Sequence, residues 1–255
     1  MGTFQRAEEK VEKITTEIRE WFDRNGKDKC AVLGISGGKD STVTAALLAR
    51  ALGPERVVGV MMPCGVQKDI ADSEEVVKAL GIRSATINIG KAFSDLQNEY
   101  NGVPGVYVTK DAQVNLQPRL RMAALYMVAQ SLPEGGFVIN TCNRSEDYVG
   151  YATKFGDCAG DVSVLGNLLV SEILEIGDAM DEIPKHLVHK APSDGLWEDT
   201  DEDRLGFTYD QLEKFILKGT SGDGKVDAKI VRMNRNSRHK YEEMPVLSKR
   251  KETRI

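Results

Sequence analysis

Residues 30–41 read Cys30-Ala-Val-Leu-Gly-Ile-Ser-Gly-Gly-Lys-Asp-Ser41, which is an apolar run followed by a glycine-rich turn. A strand that is apolar on both faces belongs in a sheet that is covered on both sides. Residues 42–52 follow the turn and are rich in Ala and Leu, as in a buried helix. This arrangement predicts a strand–turn–helix unit of an open α/β sheet, in which the turn is a common binding place for phosphate.

Strand and helix patterns alternate along the next hundred residues. Short apolar runs typical of buried strands occur at residues 57–62 and 137–139, and residues 85–89 alternate apolar and polar side chains. Helical spacing of apolar residues marks residues 4–22, 73–80 and 115–132. The alternation predicts a doubly wound parallel sheet flanked by helices, a Rossmann-like α/β fold, but it does not determine the strand order.

A single domain is predicted for residues 1–255. We expect an N-terminal helix in residues 1–27, the sheet core in residues 28–165, and a helical C-terminal part with a tail in residues 166–255. The acidic run at residues 198–203 is expected to be largely a solvated loop.

Three features leave more than one interpretation open. Residues 101–111 contain Gly and Pro, so they form either a surface connection or a flap near a site. Pro118 lies in a helical pattern and should kink the helix or start it. Trp21 and Phe22, near the end of the first helix, fit burial in the monomer and contact with a second copy equally well.

The composition excludes several classes of protein. A net charge of -5 provides no general attraction to nucleic-acid phosphates. The four cysteines form no C-x-x-C pair, and the three histidines show no zinc-ligand spacing. The N-terminus lacks the apolar core of a signal peptide, and no apolar run approaches the ~20 residues of a membrane span. We therefore expect a cytoplasmic protein with small-molecule substrates and neither nucleic-acid nor membrane partners.

The glycine spacing in the turn excludes two common nucleotide-binding motifs. A G-x-x-x-x-G-K-[ST] loop would need Gly in place of Leu33 and Ser or Thr in place of Asp40. A G-x-G-x-x-G loop also fails, because the glycines are Gly34, Gly37 and Gly38. An acid inside a phosphate-binding turn repels phosphate unless a cation lies between them, so Asp40 is predicted to bind Mg²⁺.

The turn Ser36-Gly-Gly-Lys-Asp-Ser41 resembles the pyrophosphate loop of the N-type ATP pyrophosphatases. That superfamily has an adenine nucleotide alpha hydrolase-like fold and includes NAD synthetase, GMP synthetase, asparagine synthetase and tRNA-modifying thiolases. The resemblance implies that ATP is cleaved between its α and β phosphates. It further implies that ATP is bound by Gly34, Ile35, Ser36, Gly37, Gly38, Lys39, Asp40 and Ser41. A tight turn before a helix, with no ligand, is the alternative.

Six further motifs resemble those of the NAD synthetase family and occur in the family's order. They are Asn115-Leu-Gln-Pro-Arg-Leu-Arg-Met122, Thr141-Cys-Asn-Arg-Ser-Glu146, Gly150-Tyr-Ala-Thr-Lys-Phe-Gly-Asp157, Lys190-Ala-Pro-Ser-Asp-Gly-Leu196, Asp201-Glu-Asp-Arg-Leu-Gly-Phe-Thr-Tyr209 and His239-Lys240. Together with the turn, these motifs span most of the chain. The set is therefore similar to NAD synthetases rather than to the other members of the superfamily.

The resemblance implies a role for several residues of these motifs. Asp40 and Glu146 are expected to be the catalytic residues and the ligands of Mg²⁺, and Thr141 and Ser193 are expected to contact ATP. Contacts with deamido-NAD are implied for Arg119, Lys154, Asp161, His239 and Lys240. Glu146 has an alternative interpretation as an exposed acid at a helix start, where the helix dipole favours it.

Two details of the motifs leave alternatives open. Arg119 and Arg121 are two residues apart and do not share a helix face, so at most one of them is expected to reach a ligand. The resemblance favours Arg119. Val170 stands where the family commonly has a lysine that contacts an ATP phosphate, so that contact is in doubt. Lys39 and Lys190 are the two candidates to replace it.

The resemblance implies a carbon–nitrogen ligase that converts deamido-NAD to NAD. ATP first transfers AMP to the carboxylate, and ammonia then displaces AMP, so that ATP is a substrate and Mg²⁺ the cofactor. Ammonia rather than glutamine is expected as the nitrogen donor, because the ligase occupies the length of this sequence. The family is dimeric, which implies a homodimer with the dinucleotide site at the subunit interface.

Two other functions are compatible with the turn. Another ligase of the superfamily is one, but a tRNA thiolase would want paired catalytic cysteines and a basic surface, and GMP synthetase a dimerisation domain of its own. A non-catalytic nucleotide-binding module on the same fold is the other. Such modules lack a pair of acids equivalent to Asp40 and Glu146.

Overall fold

The structure is a computed structural model that describes residues 3–67, 70–190 and 200–247. Its centre is a parallel sheet of strands β1 (Cys30–Gly34), β2 (Val57–Met61), β3 (Arg83–Thr86), β4 (Gly136–Asn140) and β5 (Val162–Ser163). The strand order is β3-β2-β1-β4-β5, so the sheet grows in opposite directions from β1. In such sheets, ligands bind outside the carboxyl ends of the strands at this switch point.

Helices cover both faces of the sheet. They are α1 (Thr3–Asn25), α2 (Lys39–Leu52), α3 (Ile70–Leu80), α4 (Gly90–Asn101), α5 (Lys110–Ser131), α6 (Arg144–Val149), α7 (Val170–Ala179), α8 (Lys185–Val188), α9 (Asp201–Leu205), α10 (Tyr209–Lys218) and α11 (Gly224–Ser237). Short 3₁₀ turns occur at Pro54–Arg56 and Arg238–Lys240. Within the described residues, no helix combines the length and the apolar composition needed to cross a membrane.

Strand β1 shows why the sheet is covered on both sides. Ala31 and Leu33 belong to the core beneath α1, α2 and α7, whereas Cys30 and Val32 belong to the core beneath α5. All four side chains are buried, as successive residues of a central parallel strand should be. The predicted doubly wound fold is confirmed.

The first helix is buried against its own chain. Phe22 is 1% exposed, and its ring lies 5.7 Å from that of Phe137 in an edge-to-face arrangement. The ring of Trp21 makes a similar contact with Phe137 at 4.9 Å. Of the two placements that the sequence left open, the structure shows burial within the monomer.

Several boundaries differ from the sequence-based predictions. Helix α5 begins at Lys110 rather than near residue 115, because the side chain of Thr109 accepts a hydrogen bond from the Ala112 amide. Of the two alternatives for Pro118, the one in which it starts the helix is wrong, since α5 continues through it. Helix α4 and the two-residue strand β5 were not predicted; β5 is too short to leave an apolar pattern.

The helical C-terminal part has an apolar core of its own. This cluster joins α6, the start of α7 and helices α9 to α11 through Val149, Val170, Leu205, Phe207, Tyr209, Leu212 and Ile230. Since α6 directly follows β4, the cluster lies beside the carboxyl edge of the sheet. It therefore brings residues more than 60 positions after β4 to the place where ligands are expected.

Candidate active site

A cavity of about 880 Å³ opens at the carboxyl ends of β1 and β4. The turn after β1 lines it with Ser36, Lys39 and Asp40, and the segment after β4 lines it with Thr141 and Glu146. Two motifs a hundred residues apart in sequence thus face one cavity. A cavity of this size with convergent polar groups is typical of a small-molecule site.

The turn after β1 is shaped by two serines and a glycine. The Oγ atoms of Ser36 and Ser41 are 3.0 Å apart, and the Gly38 amide donates to Ser36 Oγ at 3.3 Å. Gly37 has a φ of 76°, and a Cβ atom there would lie 2.6 Å from that of Asp72. The turn leads into the N-terminus of the 14-residue helix α2, whose free amide groups favour an anion.

Asn143 links the two acids that the sequence singled out. Its side-chain amide donates to Asp40 Oδ1 at 3.0 Å, and its own Oδ1 accepts from the Glu146 amide at 3.0 Å. Glu146 Oε2 in turn accepts from the Asn143 amide at 3.4 Å, which completes a capping box at the start of α6. Asn143 was not among the residues predicted for the site, although the N-x-x-E spacing of the capping box is visible in the sequence.

The two acids lie in a strongly charged environment. Burial raises the pKa of Glu146 well above its usual value, and the nearby Asp40 carboxylate raises it further, whereas Lys39 and the Asn143 amide oppose the shift. Burial lowers the pKa of Lys39, but Asp40 and Glu146 outweigh this effect and raise it overall. Two neighbouring acids beside the glycine-rich turn favour a cation there.

The protein supplies some of the ligands that Mg²⁺ prefers, and a substrate would supply others. Mg²⁺ is usually held by one or two carboxylates together with phosphate oxygens and water, which matches Asp40 and Glu146 beside the turn. Among the described residues, no group of three or more His, Cys, Asp and Glu side chains has the geometry of a metal site. A metal ion at this place would therefore complete its coordination with phosphate oxygens or water.

Asp201 is a buried acid that the sequence analysis did not place in the site. Its side chain lines the cavity, is 5% exposed and accepts hydrogen bonds from Tyr151 Oη at 3.1 Å and Tyr209 Oη at 3.5 Å. The Tyr209 ring lies 5.6 Å from the ammonium nitrogen of Lys39. The acidic run is thus not all solvated loop, because Thr200 caps α9 and directs Asp201 inward.

The structure distinguishes the two arginines of α5. Arg121 lines the cavity, and its Nε donates to the Met62 carbonyl at 3.2 Å. Arg119 is exposed outside that lining, and its Nε donates to the Lys154 carbonyl at 3.3 Å. Arg121 rather than Arg119 therefore faces the cavity, and the role of Arg119 towards a dinucleotide stays a prediction.

Lys154 and Lys240 contact main-chain carbonyl groups. Lys240 lines the cavity, and its ammonium group donates to the carbonyls of Gly150 at 2.7 Å and Ala152 at 2.6 Å. The ammonium group of Lys154 donates to the carbonyl of His239. These contacts join residues 150–154 to the C-terminal 3₁₀ turn.

Asp161 lies beside a second, smaller cavity of about 220 Å³. Its Oδ2 accepts from the Val138 amide at 2.7 Å, and its Oδ1 accepts from Tyr126 Oη at 3.4 Å. Asp147 and Tyr241 line the same cavity. Asp161 is therefore held by the edge of β4, outside the large cavity.

Predictions from the sequence also concern Ser193 and Val170. Ser193 lies outside the described residues. Val170 is 6% exposed in the C-terminal apolar cluster, and it does not line the large cavity. Lys39 and Lys190 both line that cavity, and Lys190 forms an ion pair with Asp72 at 2.6 Å. That one of these two lysines replaces the lysine missing at position 170 stays a prediction.

Comparison with known proteins identifies the family. The model of the NAD synthase family matches residues 10–253. The NH3-dependent NAD(+) synthetase of Carboxydothermus hydrogenoformans is 36% identical over 244 residues, which are 94% of this chain and 98% of that protein. Its namesake from Pyrococcus furiosus is 39% identical over 208 residues, or 81% and 78% of the two chains.

A solved structure agrees with this assignment. The structure of NMN synthetase from Francisella tularensis superposes with a TM-score of 0.82 and 31% sequence identity, covering 97% of this chain and 99% of that one. The likeness therefore extends over the sheet, the cavity and the helical C-terminal part. Because the family model matches nearly its whole length, the chain belongs to the NAD synthase family.

Proposed function

We propose that the protein is an ATP-dependent ligase that amidates deamido-NAD with ammonia, yielding NAD, AMP and pyrophosphate. The observation that carries this proposal is the pair of acids, Asp40 and Glu146, joined by Asn143 beside a phosphate-binding turn. The printed names of the relatives, NH3-dependent NAD(+) synthetases, support the substrate and the nitrogen donor.

The reaction needs activation of a carboxylate, because its oxygen is a poor leaving group. A nicotinate carboxylate oxygen attacks the α-phosphorus of ATP, the bond from that phosphorus to the bridging oxygen breaks, and pyrophosphate leaves. Ammonia then attacks the carbonyl carbon, the carbon–oxygen bond to AMP breaks, and one proton is released. No protein nucleophile is required, so catalysis rests on positioning and on stabilisation of negative charge.

Different residues of the cavity are proposed to bind different parts of ATP. We propose that the turn amides and the hydroxyls of Ser36 and Ser41 hold the pyrophosphate, with Thr141 beside them. Lys39 and Lys190 supply positive charge in the same lining. Asp40 and Glu146 would hold Mg²⁺, which when bound supplies charge neutralisation of the departing pyrophosphate.

Deamido-NAD is proposed to contact Arg119, Lys154, Asp161, His239 and Lys240. These residues lie on or next to the segment of residues 150–161 and the C-terminal 3₁₀ turn, which are joined by the lysine contacts described above. Because Lys154 and Lys240 already donate to carbonyl groups, we propose that they position this segment as well as attract a diphosphate.

A homodimer is proposed for the assembly. Exposed apolar side chains concentrate on α4, α5 and their connection, at Leu96, Tyr100, Val103, Val106, Tyr107 and Met127. Exposed apolar side chains grouped on neighbouring elements favour a protein contact. Sedimentation velocity should show a dimer that Met127→Lys weakens, and a monomeric wild-type protein would contradict the proposal.

Product identity tests the proposed reaction. Purified protein is incubated with Mg²⁺-ATP, deamido-NAD and an ammonium salt, and NAD, AMP and pyrophosphate are quantified. We expect equimolar formation of all three, dependent on ammonium. Formation of AMP and pyrophosphate without NAD would place the error in the acid or nitrogen donor, and absence of ATP cleavage would contradict ligase activity.

The likeness to an NMN synthetase structure favours a second candidate substrate. The acid precursors of NMN and NAD share nicotinate, ribose and phosphate, and they differ by the AMP half of the dinucleotide. The ratio of kcat/KM for deamido-NAD to that for nicotinate mononucleotide decides between them. A ratio above one supports the proposal, and a ratio well below one assigns the chain to mononucleotide amidation.

A further inference from the structure

The segment after β2, residues 62–67, forms one side of the large cavity, and we call it the β2 loop. It lines the cavity with Met62, Cys64, Val66 and Gln67. The loop carries no charged side chain, and its first residues pack into the apolar core beneath α5. The Val66 side chain is 99% exposed and so is available to a ligand. This side of the cavity therefore suits an uncharged group better than the side where Asp40 and Glu146 lie.

Main-chain pairing fixes only the first part of the β2 loop. The Ile87 amide donates to the Met61 carbonyl at 2.9 Å, and the Ile89 amide donates to the Pro63 carbonyl at the same distance. The pairing of β2 with β3 thus continues as far as Pro63, past the ends of both strands. Between described residues, no hydrogen bond of this main-chain type involves residues 64–66. The part of the loop that carries Val66 is therefore held in another way.

The side chain of Asn88 takes over where the main-chain pairing ends. Its Oδ1 accepts from the Gly65 amide at 3.0 Å, and its Nδ2 donates to the Gly65 carbonyl at 2.8 Å. The same Oδ1 accepts from the Gly90 amide at 2.9 Å, at the start of α4. A side-chain amide carries a donor and an acceptor on one plane, so it can satisfy both main-chain groups of a single residue. Asn88 thereby connects the β2 loop to α4.

The two glycines that Asn88 contacts fit this arrangement. Gly65 has a φ of 80°, a conformation that other residues rarely adopt. A Cβ atom at Gly90 would lie 2.5 Å from the Gly65 nitrogen, so the start of α4 lies directly against the β2 loop. Asn88 itself is exposed and does not line the cavity. We therefore expect it to affect a ligand in the cavity through the conformation of the loop.

We propose that Asn88 is a positioning residue for ATP, which holds the β2 loop in the conformation that contacts the adenosine half of the nucleotide. The inference rests on the proposed function, in which the turn after β1 binds the pyrophosphate. With the phosphates at that turn, the β2 loop is the adjacent uncharged side of the cavity, because β2 pairs with β1. A contact that is equally strong before and during the reaction lowers KM and leaves kcat unchanged.

The test compares Asn88→Ala with wild type. Binding of Mg²⁺-ATP without the acid substrate, measured by calorimetry, should weaken about tenfold, because both main-chain groups of Gly65 lose their partner. The KM for ATP should rise by a similar factor, whereas kcat and the KM for deamido-NAD should stay within a factor of about two. Hydrogen exchange at Gly65 and Val66 should speed up. The melting temperature should stay close to wild type, because Asn88 is exposed.

Two further variants show whether the effect passes through the loop. Gly65→Ala disturbs the same segment through its φ, since a Cβ atom there would meet no neighbouring atom within 4 Å. It should also weaken ATP binding, and in the double variant with Asn88→Ala the two effects should sum to less than their total. Asn98→Ala removes an exposed asparagine of α4 and should leave ATP binding and hydrogen exchange unchanged.

The outcomes separate this inference from the proposed function. If Asn88→Ala speeds exchange in the loop but binds ATP like wild type, the loop does not contact ATP and the inference is wrong. It is also wrong if exchange at Gly65 and Val66 is unchanged, or if kcat falls while the KM for ATP stays constant. ATP binding without NAD formation contradicts only the proposed acid or nitrogen donor. If wild type does not bind Mg²⁺-ATP, the proposed function and the inference both fail. Asn88→Ser repeats the measurements should Asn88→Ala not fold.

Discussion

Beside the turn after β1, the ammonium group of Lys39 contacts a carboxylate, whereas beside residues 150–154 the ammonium group of Lys240 contacts two main-chain carbonyl oxygens. Both lysines line the same cavity. A charge partnered by carbonyl groups fixes the shape of a segment. The first region thus holds paired charges, and the second fixes the conformation of residues 150–154.

The largest effect is expected for a substitution of Asp40, whose carboxylate contacts Lys39 beside the turn. Asp40→Asn should reduce AMP formation by about 10²–10³-fold, the loss typical when a group that stabilises transition-state charge is removed. The side chain keeps its shape, so circular dichroism and the melting temperature should stay close to wild type. Asp28→Asn, at an exposed position, is the control. Normal turnover by folded Asp40→Asn protein would remove Asp40 from the metal site.

Glu213, like Lys240, holds neighbouring segments in place, but it does so with a carboxylate rather than an ammonium group. This buried side chain accepts from Ser145 Oγ at 3.2 Å and from the Ser171 amide at 3.1 Å, and so joins α10 to the starts of α6 and α7. Glu213→Ala should lower the free energy of unfolding by about 1–3 kcal/mol, because the buried Ser145 hydroxyl and the partly buried Ser171 amide lose their acceptor. Urea unfolding measures this, with Glu213→Gln as the matched variant that should lose less. Equal stability of the alanine variant would contradict the structural role.

Lys240→Met tests whether Lys240 fixes the conformation of residues 150–154. The carbonyls of Gly150 and Ala152 lose a charged donor, which should cost about 1–2 kcal/mol of unfolding free energy. Hydrogen exchange at residues 150–154 should speed up, and the KM for the pyridine nucleotide should rise while the KM for ATP changes little. Lys225→Met, an exposed lysine of α11, is the control. Loss of activity with unchanged hydrogen exchange would instead indicate direct substrate contact alone.

Asp147, on the small cavity, provides the smallest expected effect. Its pKa is raised to about 6, because burial and then the Asp157 carboxylate outweigh the hydrogen bond from Tyr241. A carboxyl whose folded pKa exceeds its unfolded value stabilises the protein most below about pH 4, and this contribution is lost as pH rises through 6.

Asp147→Asn stays uncharged and should not show that loss. Between pH 4.5 and 7.5, the unfolding free energy of wild type should fall relative to the variant by about 1 kcal/mol, allowing for solvent screening at a partly exposed site. Urea unfolding of both proteins at several pH values measures the difference. Parallel pH profiles would show that Asp147 is not desolvated in solution.

The contrast between the two regions also explains which features were predictable. Asp40 was singled out by the pattern of the turn and Glu146 by its resemblance to a motif of the NAD synthetase family. Both line the cavity, and their roles towards a metal ion stay predictions. Asp201 was missed because an acidic run looks solvated until a tertiary partner, here Tyr151, buries it. Arg121 was ranked below Arg119, since helix periodicity separates two faces but does not say which one meets the cavity.

The sequence by itself determined the strand–turn–helix unit, the glycine-rich turn and the capping box of α6, because each depends on dihedral preferences and hydrogen bonds between near neighbours. Only the tertiary structure decided the strand order, the burial of α1 and the approach of Asn143 to Asp40 across 103 positions of sequence. It also placed Asp201 and Lys240 at the cavity. Such contacts depend on how apolar faces pack into a common core, and that packing is a property of the whole chain rather than of any segment.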